Sequence, residues 1–254
     1  MALFTDGPAC GIDDLTDQDS GLLDVSESNS INLATKLRLA QEEITTDLGL
    51  WLLKSRPGAL LFPGSWIRMD QVVVNPALKR WLVMHALALV YRDAYFSQMA
   101  DRFQSKWQEF LRLAKDNRES FIAGGLPVVN DPLPQAPPPL LTASTAPQTG
   151  GTFYANVAWI NAAGQEGAAS AASSISVQNG QLMVVTPGAA PANAIGYRVY
   201  AGPSLDATVL QTPITLPIST PHRYLPGQVT AGPLPGTGQL PDFVRPMPRT
   251  WLRG

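Results

Sequence analysis

Residues 153–202 constrain the fold more than any other stretch. They open on Phe-Tyr-Ala-Asn-Val-Ala-Trp-Ile, an alternating run that suits a pleated strand with one buried face. A turn follows at residues 161–167, and then small residues. A second short strand, residues 197–201, alternates again and ends on Gly202. Such strands need partners and a second layer to bury their apolar face.

More strands surround them. Residues 140–146, 174–177, 182–185 and 208–211 are further candidates. Asn179-Gly180 lies between the second and third of these, and Asn-Gly favours the positive φ angles of a tight hairpin turn. Several short strands at close spacing predict a two-sheet sandwich. Read from its residues, this half resembles the fibronectin type III-like or Ig-like sandwiches appended to tailed-phage virion proteins.

The chain ahead of the sandwich is helical. Leu33, Leu37, Ala40, Ile44, Leu48 and Trp51 recur at spacings of three and four, predicting a helix over residues 30–53. Arg56-Pro57-Gly58 ends it, and residues 58–74 read as a long loop. Asn75-Pro76 starts a second helix, to residue 96, because Asn caps free amides and Pro suits the first helical position. That helix is apolar on most faces, with Trp81, Leu82, Met84, Leu87, Leu89 and Val90. One copy of a three-helix unit would not cover it, so it is expected in a core or a subunit interface. A third helix, residues 98–122, carries Met99, Phe103, Trp107, Phe110 and Ala114 as its stripe, and Gly124-Gly125 stops it. Trp81, Leu82, Leu89, Phe103 and Trp107 are the expected core or interface residues.

The chain of 254 residues has room for two cores. The expected fold is α+β and multidomain: an acidic extended arm (1–28), a helical domain (29–125), a proline-rich linker acting as a spacer (126–139), the sandwich (140–236) and an extended tail (237–254). The arm holds Asp6, Asp13, Asp14, Asp17, Asp19, Asp24 and Glu27, with no Lys or Arg. That is the opposite of a signal peptide's basic start. The most apolar run, residues 81–90, is broken by His85 and is far short of the ~20 residues a spanning helix needs. A protein made and used without crossing a membrane is expected.

Charge is sparse, 15% of residues, and between residues 140 and 240 only Glu166, Arg198, Asp206 and Arg223 are charged. Such a surface fits an assembly or simply a low-charge β domain. The net charge of -2 does not mark a nucleic-acid binder. The second and third helices carry Lys79, Arg80, Arg92, Arg102, Lys106, Arg112, Lys115 and Arg118, but acids are interleaved, which favours ion pairing over phosphate contact.

No catalytic constellation is legible. Cys10 is the one cysteine, which rules out an intrachain disulfide and a thiolate metal cluster. His85 lies mid-helix among apolar residues, and His222 follows Pro221 in what reads as a solvated loop. Glu42, Glu43, Glu109 and Glu166 are the glutamates a glycosidase could use, and nothing in sequence pairs two of them. No cofactor and no metal site is expected.

The helical half, residues 30–133, resembles the head–tail adaptor (connector, head-completion) proteins of tailed phages. The resemblance rests on the order of elements: the amphipathic first helix, the loop closing on Val72-Val73-Val74-Asn75-Pro76, and the apolar helix with Tyr91-Arg92-Asp93. The charged-aromatic helix and the exit Gly124-Gly125-Leu126-Pro127 complete it. The resemblance implies a homo-oligomeric, dodecameric ring in the virion neck. A portal protein would sit above it, a tail or nozzle protein below, and DNA would pass through the bore unread. It implies synthesis in the host bacterial cytoplasm and no catalysis, although some members cleave peptidoglycan. A glycan- or receptor-binding tail module is the other rival. The resemblance also implies that the tail grips the portal, through Phe243, Arg245, Met247, Arg249 and Trp251. The acidic arm and the large sandwich depart from the family pattern.

Overall fold

The structure is a computed structural model that describes residues 2–54, 67–98, 101–227 and 231–247. Helices and antiparallel sheets are mixed, with no barrel among the described residues. The chain divides into two compact units. One comprises Gly7–Val128 and Pro241–Gly254, the other Met1–Asp6 and Val129–Leu240. The β unit is thus inserted into the helical unit rather than appended to it.

The helical unit contains α1 (Ile12–Thr16), α2 (Leu22–Ser28), α3 (Leu33–Lys54), α4 (Pro76–Gln98) and α5 (Asp101–Gly124). Asn75 caps α4, its side-chain oxygen accepting from the Leu78 amide at 2.8 Å. Asn32 does the same for α3 through the Thr35 amide at 3.0 Å. α5 stops at Gly124, and Gly125 turns left-handed at φ 84. The chain then forms β1 (Leu126–Val128). β1 pairs antiparallel with a strand from the C-terminal segment, numbered β9 below in chain order, Phe243–Arg245.

Residues 1–28 are not an extended arm. Residues 12–16 and 22–28 are helical, and Leu15 and Leu22 are fully buried. The mutual repulsion of the acids is relieved because two of them meet lysines, as described below. Residues ahead of Gly7 belong to the β unit, where Asp6 accepts from the Gln135 amide at 2.8 Å.

The β unit has two sheets. One orders β2 (Leu140–Thr145), β5 (Gln181–Thr186) and β8 (His222–Tyr224). The other orders β4 (Ser173–Val177), β3 (Gly151–Asn161), β6 (Ala194–Gly202) and β7 (Val209–Leu210). Alternate residues of both feed one core: Phe153, Ala155, Val157 and Trp159 from β3, Tyr197, Val199 and Ala201 from β6, Met183 and Val185 from β5. Trp159 and Tyr197 meet edge-on at 6.4 Å.

Four expectations change here. Asn179-Gly180 does form a turn, with Gly180 at φ 85, but β4 and β5 do not pair as a hairpin. β4 joins β3 and β5 joins β2, so the turn carries the chain between sheets. The prolines of the expected linker do not hold a spacer clear of the fold: Leu133 and Ala136 are buried in the β core. Residues 237–240 are not tail either, because Gln239 is buried, accepting from the Leu133 amide and donating to the Asp131 carbonyl. His222 lies in β8 opposite Val185, and burial lowers its pKa.

Candidate functional site

Of the residues singled out in sequence, Trp81, Leu82 and Leu89 lie on α4, Phe103 and Trp107 on α5, and Phe243 and Arg245 on β9. Trp81, Leu82 and Leu89 are buried within a single chain, at 5%, 1% and 4% exposure. The expectation that one copy cannot cover α4 is therefore corrected. α5 and α3 cover most of it, and α1 and α2 pack on it as well. The arm supplies the cover that three helices alone would lack.

Phe103 is buried, with its ring 6.3 Å from Tyr91. Trp107 is only half-buried. It stacks on Tyr95 at 5.9 Å and lies 5.8 Å from Phe96, whose side chain is 56% exposed. Leu50 and Leu53 near the end of α3 are exposed too. Among the large apolar side chains of the described α-helices, Leu50, Leu53 and Phe96 are the most exposed.

The arm's seat is polar at its centre. The Tyr91 hydroxyl donates to Asp19 Oδ2 at 2.5 Å, and Lys106 Nζ donates to the same oxygen at 2.6 Å. The Gly21 amide donates to Asp19 Oδ1 at 3.1 Å. Burial pushes the Asp19 carboxyl up, but the hydrogen bonds from Lys106, Tyr91 and Gly21, with the Lys106 charge, hold it below the usual carboxylate value. Burial and then Asp19 push the Tyr91 hydroxyl up to about 12. About three turns earlier on α4, Lys79 meets Asp14 at 2.7 Å. Asp14 too is lowered, burial being outweighed by Lys79 and the Gly11 amide. Gln41 on α3 ties the arm's start, donating to the Gly7 carbonyl and accepting from the Ala9 amide. Lys79, Arg92, Lys106, Arg112 and Arg118 are thus answered by acids of the same chain.

A groove of about 440 Å³ runs between α3, α4 and α5. Glu43 meets His85 Nε2 at 2.6 Å, and Asp47 accepts from Arg118 at 3.2 Å. Arg118 also lies over the Trp81 ring. Ile44, Leu111 and Ala114 supply its apolar lining. Glu42 pairs with Arg38, while Glu166, in the β unit, holds both Arg198 and the Tyr200 hydroxyl. These three glutamates face different partners. Among the described residues no three His, Cys, Asp or Glu are grouped to hold a metal, and no helix is long and apolar enough to cross a membrane.

The C-terminal segment is partly built into the fold. In β9, Phe243 and Val244 are exposed and Arg245 is half-buried, and beyond it Met247 is buried. Arg249 and Trp251 lie outside the described residues, as do residues 55–66 of the long loop.

No protein-family model, curated protein or solved structure matches this chain. Its interaction surfaces are therefore read from its own chemistry. Sequence reasoning missed Asp14, Asp19, Lys79, Tyr91 and Lys106 as partners. The available signal was charge balance: a run of acids with no base, and two helices with more bases than acids.

Proposed function

We propose that this chain is a structural virion protein of a tailed phage, a head–tail adaptor whose copies form a ring between portal and tail. One observation carries the reading. The helices α3, α4 and α5 lie in one compact unit, in the order the resemblance names, with Phe96 exposed beside the half-buried Tyr95 and Trp107. The burial of α4 removes one reason for a ring, and this aromatic surface replaces it, because exposed aromatics dominate association energy. The inserted β unit reads as a fibronectin type III-like or Ig-like module. Its three-stranded and four-stranded antiparallel sheets over one core support that reading. The adaptor reading assigns portal contact to the C-terminal segment, with β9 as its anchored base and Arg249 and Trp251 beyond it.

The test is electron microscopy of the purified chain, alone and with a portal ring. Phe96→Asp combined with Trp107→Ala is expected to abolish rings while leaving helical circular dichroism intact. Rings that persist in that variant remove the aromatic surface as the interface. Absence of any ring or portal binding by the unaltered chain removes the adaptor reading.

The Glu43 and His85 pair keeps one alternative testable, a peptidoglycan-cleaving neck protein. A zymogram clears only if the chain hydrolyses the glycan or its peptide, and Glu43→Gln is the control.

A further inference from the structure

The arm is bound to the helical unit in the manner of a separate peptide. α1 spans Ile12–Thr16 and α2 Leu22–Ser28, both too short to hold their shape alone in water. Their order comes from the seat: Leu15 and Leu22 buried, Asp19 held by Tyr91 and Lys106, Asp14 held by Lys79.

Only residues 29–32 connect α2 to α3. Within that hinge Ser30 has φ 55, the single non-glycine residue among those described with a positive φ. A left-handed serine is strained, since its Cβ crowds the following carbonyl. Most of the hinge's hydrogen bonds run within the arm or into the start of α3, as from the Ile31 amide to the Ser26 carbonyl at 2.8 Å and from the Asn29 side chain to the Val25 carbonyl at 2.8 Å, while the Ser97 hydroxyl ties Asn29 to α4 at 2.9 Å. A short strained hinge beside a detachable element is the combination that permits exchange between copies.

We propose that the arm is exchanged between neighbouring copies of this chain, the segment ahead of residue 29 leaving its own copy, where residues 7–28 sit on α3, α4 and α5 and residues 2–6 in the β unit, and taking the same seats on the next. Every contact of the seat is kept in the exchanged form, and only the hinge changes, relaxing Ser30. In a free chain the short tether gives the arm a high effective concentration at its own seat, so the closed form dominates. Copies held side by side remove that advantage. The proposal rests on the ring reading, because it needs neighbours in fixed proximity, and it gives the acidic arm a partner, a second copy of this chain.

The test uses the unaltered full-length protein. Equal amounts of isotope-labelled and unlabelled chain are mixed as monomers, concentrated until oligomers form, and treated with a carbodiimide. The reagent joins a carboxylate to an ammonium in direct contact, as at Asp19 and Lys106. Mass spectrometry of the joined peptide then reports whether its halves come from one chain or two. In the oligomer fraction about half of these peptides should pair a labelled with an unlabelled half, as random exchange requires, and in the monomer fraction none. Oligomers whose joined peptides are all of single origin overturn the exchange and leave the ring standing. A chain that stays monomeric throughout overturns both. A second variant, Ser30→Gly, relieves the strain of the closed hinge and should raise the oligomerisation midpoint about fivefold. An unchanged midpoint overturns the role given to the hinge.

Discussion

Replacing Asp19 with Ala tests whether the arm is held by its polar centre or only by its leucines. The carboxylate is 9% exposed and accepts from the Tyr91 hydroxyl, Lys106 Nζ and the Gly21 amide. A hydrogen bond to a charged group contributes about 1.5–3 kcal/mol, and Lys106, half in solvent, belongs at the low end. Tyr91 keeps a fallback, since Lys106 Nζ lies 3.2 Å from its hydroxyl. The expected loss is therefore about 2 kcal/mol, or a fall in Tm of ~4–8 °C for a unit of this size. Cys10 provides a local readout. It is buried, and burial, with the Asp14 charge, pushes its thiol up to about 12, so a native chain should resist thiol reagents. Loosening the arm by ~2 kcal/mol should speed Cys10 labelling about thirtyfold. The pH dependence has a definite sign. Asp19 is lowered in the folded chain, so its stabilisation is complete above the unfolded carboxylate pKa of about 4 and is lost as pH falls through the folded value. Asp19→Asn should flatten that acid limb. If Asp19→Ala changes neither Tm nor the Cys10 labelling rate, the polar centre does not hold the arm.

Deleting residues 243–254 removes the partner of β1 and should lower the Tm of the helices, because Leu126 and Val128 are fully buried beside that strand; an unchanged helical melt refutes the pairing. For the same reason a chain stopped near residue 131 should not regain the full stability of its helices. Gly125→Ala should destabilise by more than ~1 kcal/mol in denaturant melts, since φ is 84 and a Cβ would meet Val244 at 2.7 Å and the Arg245 carbonyl at 2.8 Å. Trp159→Ala should cost about 3–5 kcal/mol, read as loss of the cooperative transition of the β unit, because its side chain is fully buried in the core between the sheets.

Much of the fold was legible locally. Asn75-Pro76, Gly124-Gly125 and the spacing from Leu33 to Trp51 mark α3, α4 and α5 closely, since caps and apolar stripes are written within a few residues of the helices they define. β2 to β7 were likewise legible as short strands, while β1, β8 and β9, three residues each, were not. What failed was everything that depends on distant partners. The arm looked extended because its acids repel, yet the groups that answer Asp19 stand 72 and 87 positions away, at Tyr91 and Lys106. The Asn179-Gly180 dipeptide specifies a turn but not which sheet each flanking strand joins. Leu133 among prolines looked like part of a spacer, although it and Ala136 join the β core. The apolar surround of α4 was read correctly as buried and wrongly as needing another copy, because the arm that covers it had been assigned to solvent.

The insertion of one unit within the other also fixes an order of events on the ribosome. The helices emerge early, but β9 follows only after the whole of Val129–Leu240. At about 5–20 residues per second that stretch alone takes on the order of ten seconds to synthesise. During this interval β1 presents an open edge and the helical unit is one strand short. The β unit in turn includes Met1–Asp6, made first and held over until its main body appears. A chain interrupted before Phe243 therefore cannot complete its helical unit. Premature termination would leave a product marked by its own exposed strand, open to proteolysis before it could join an assembly.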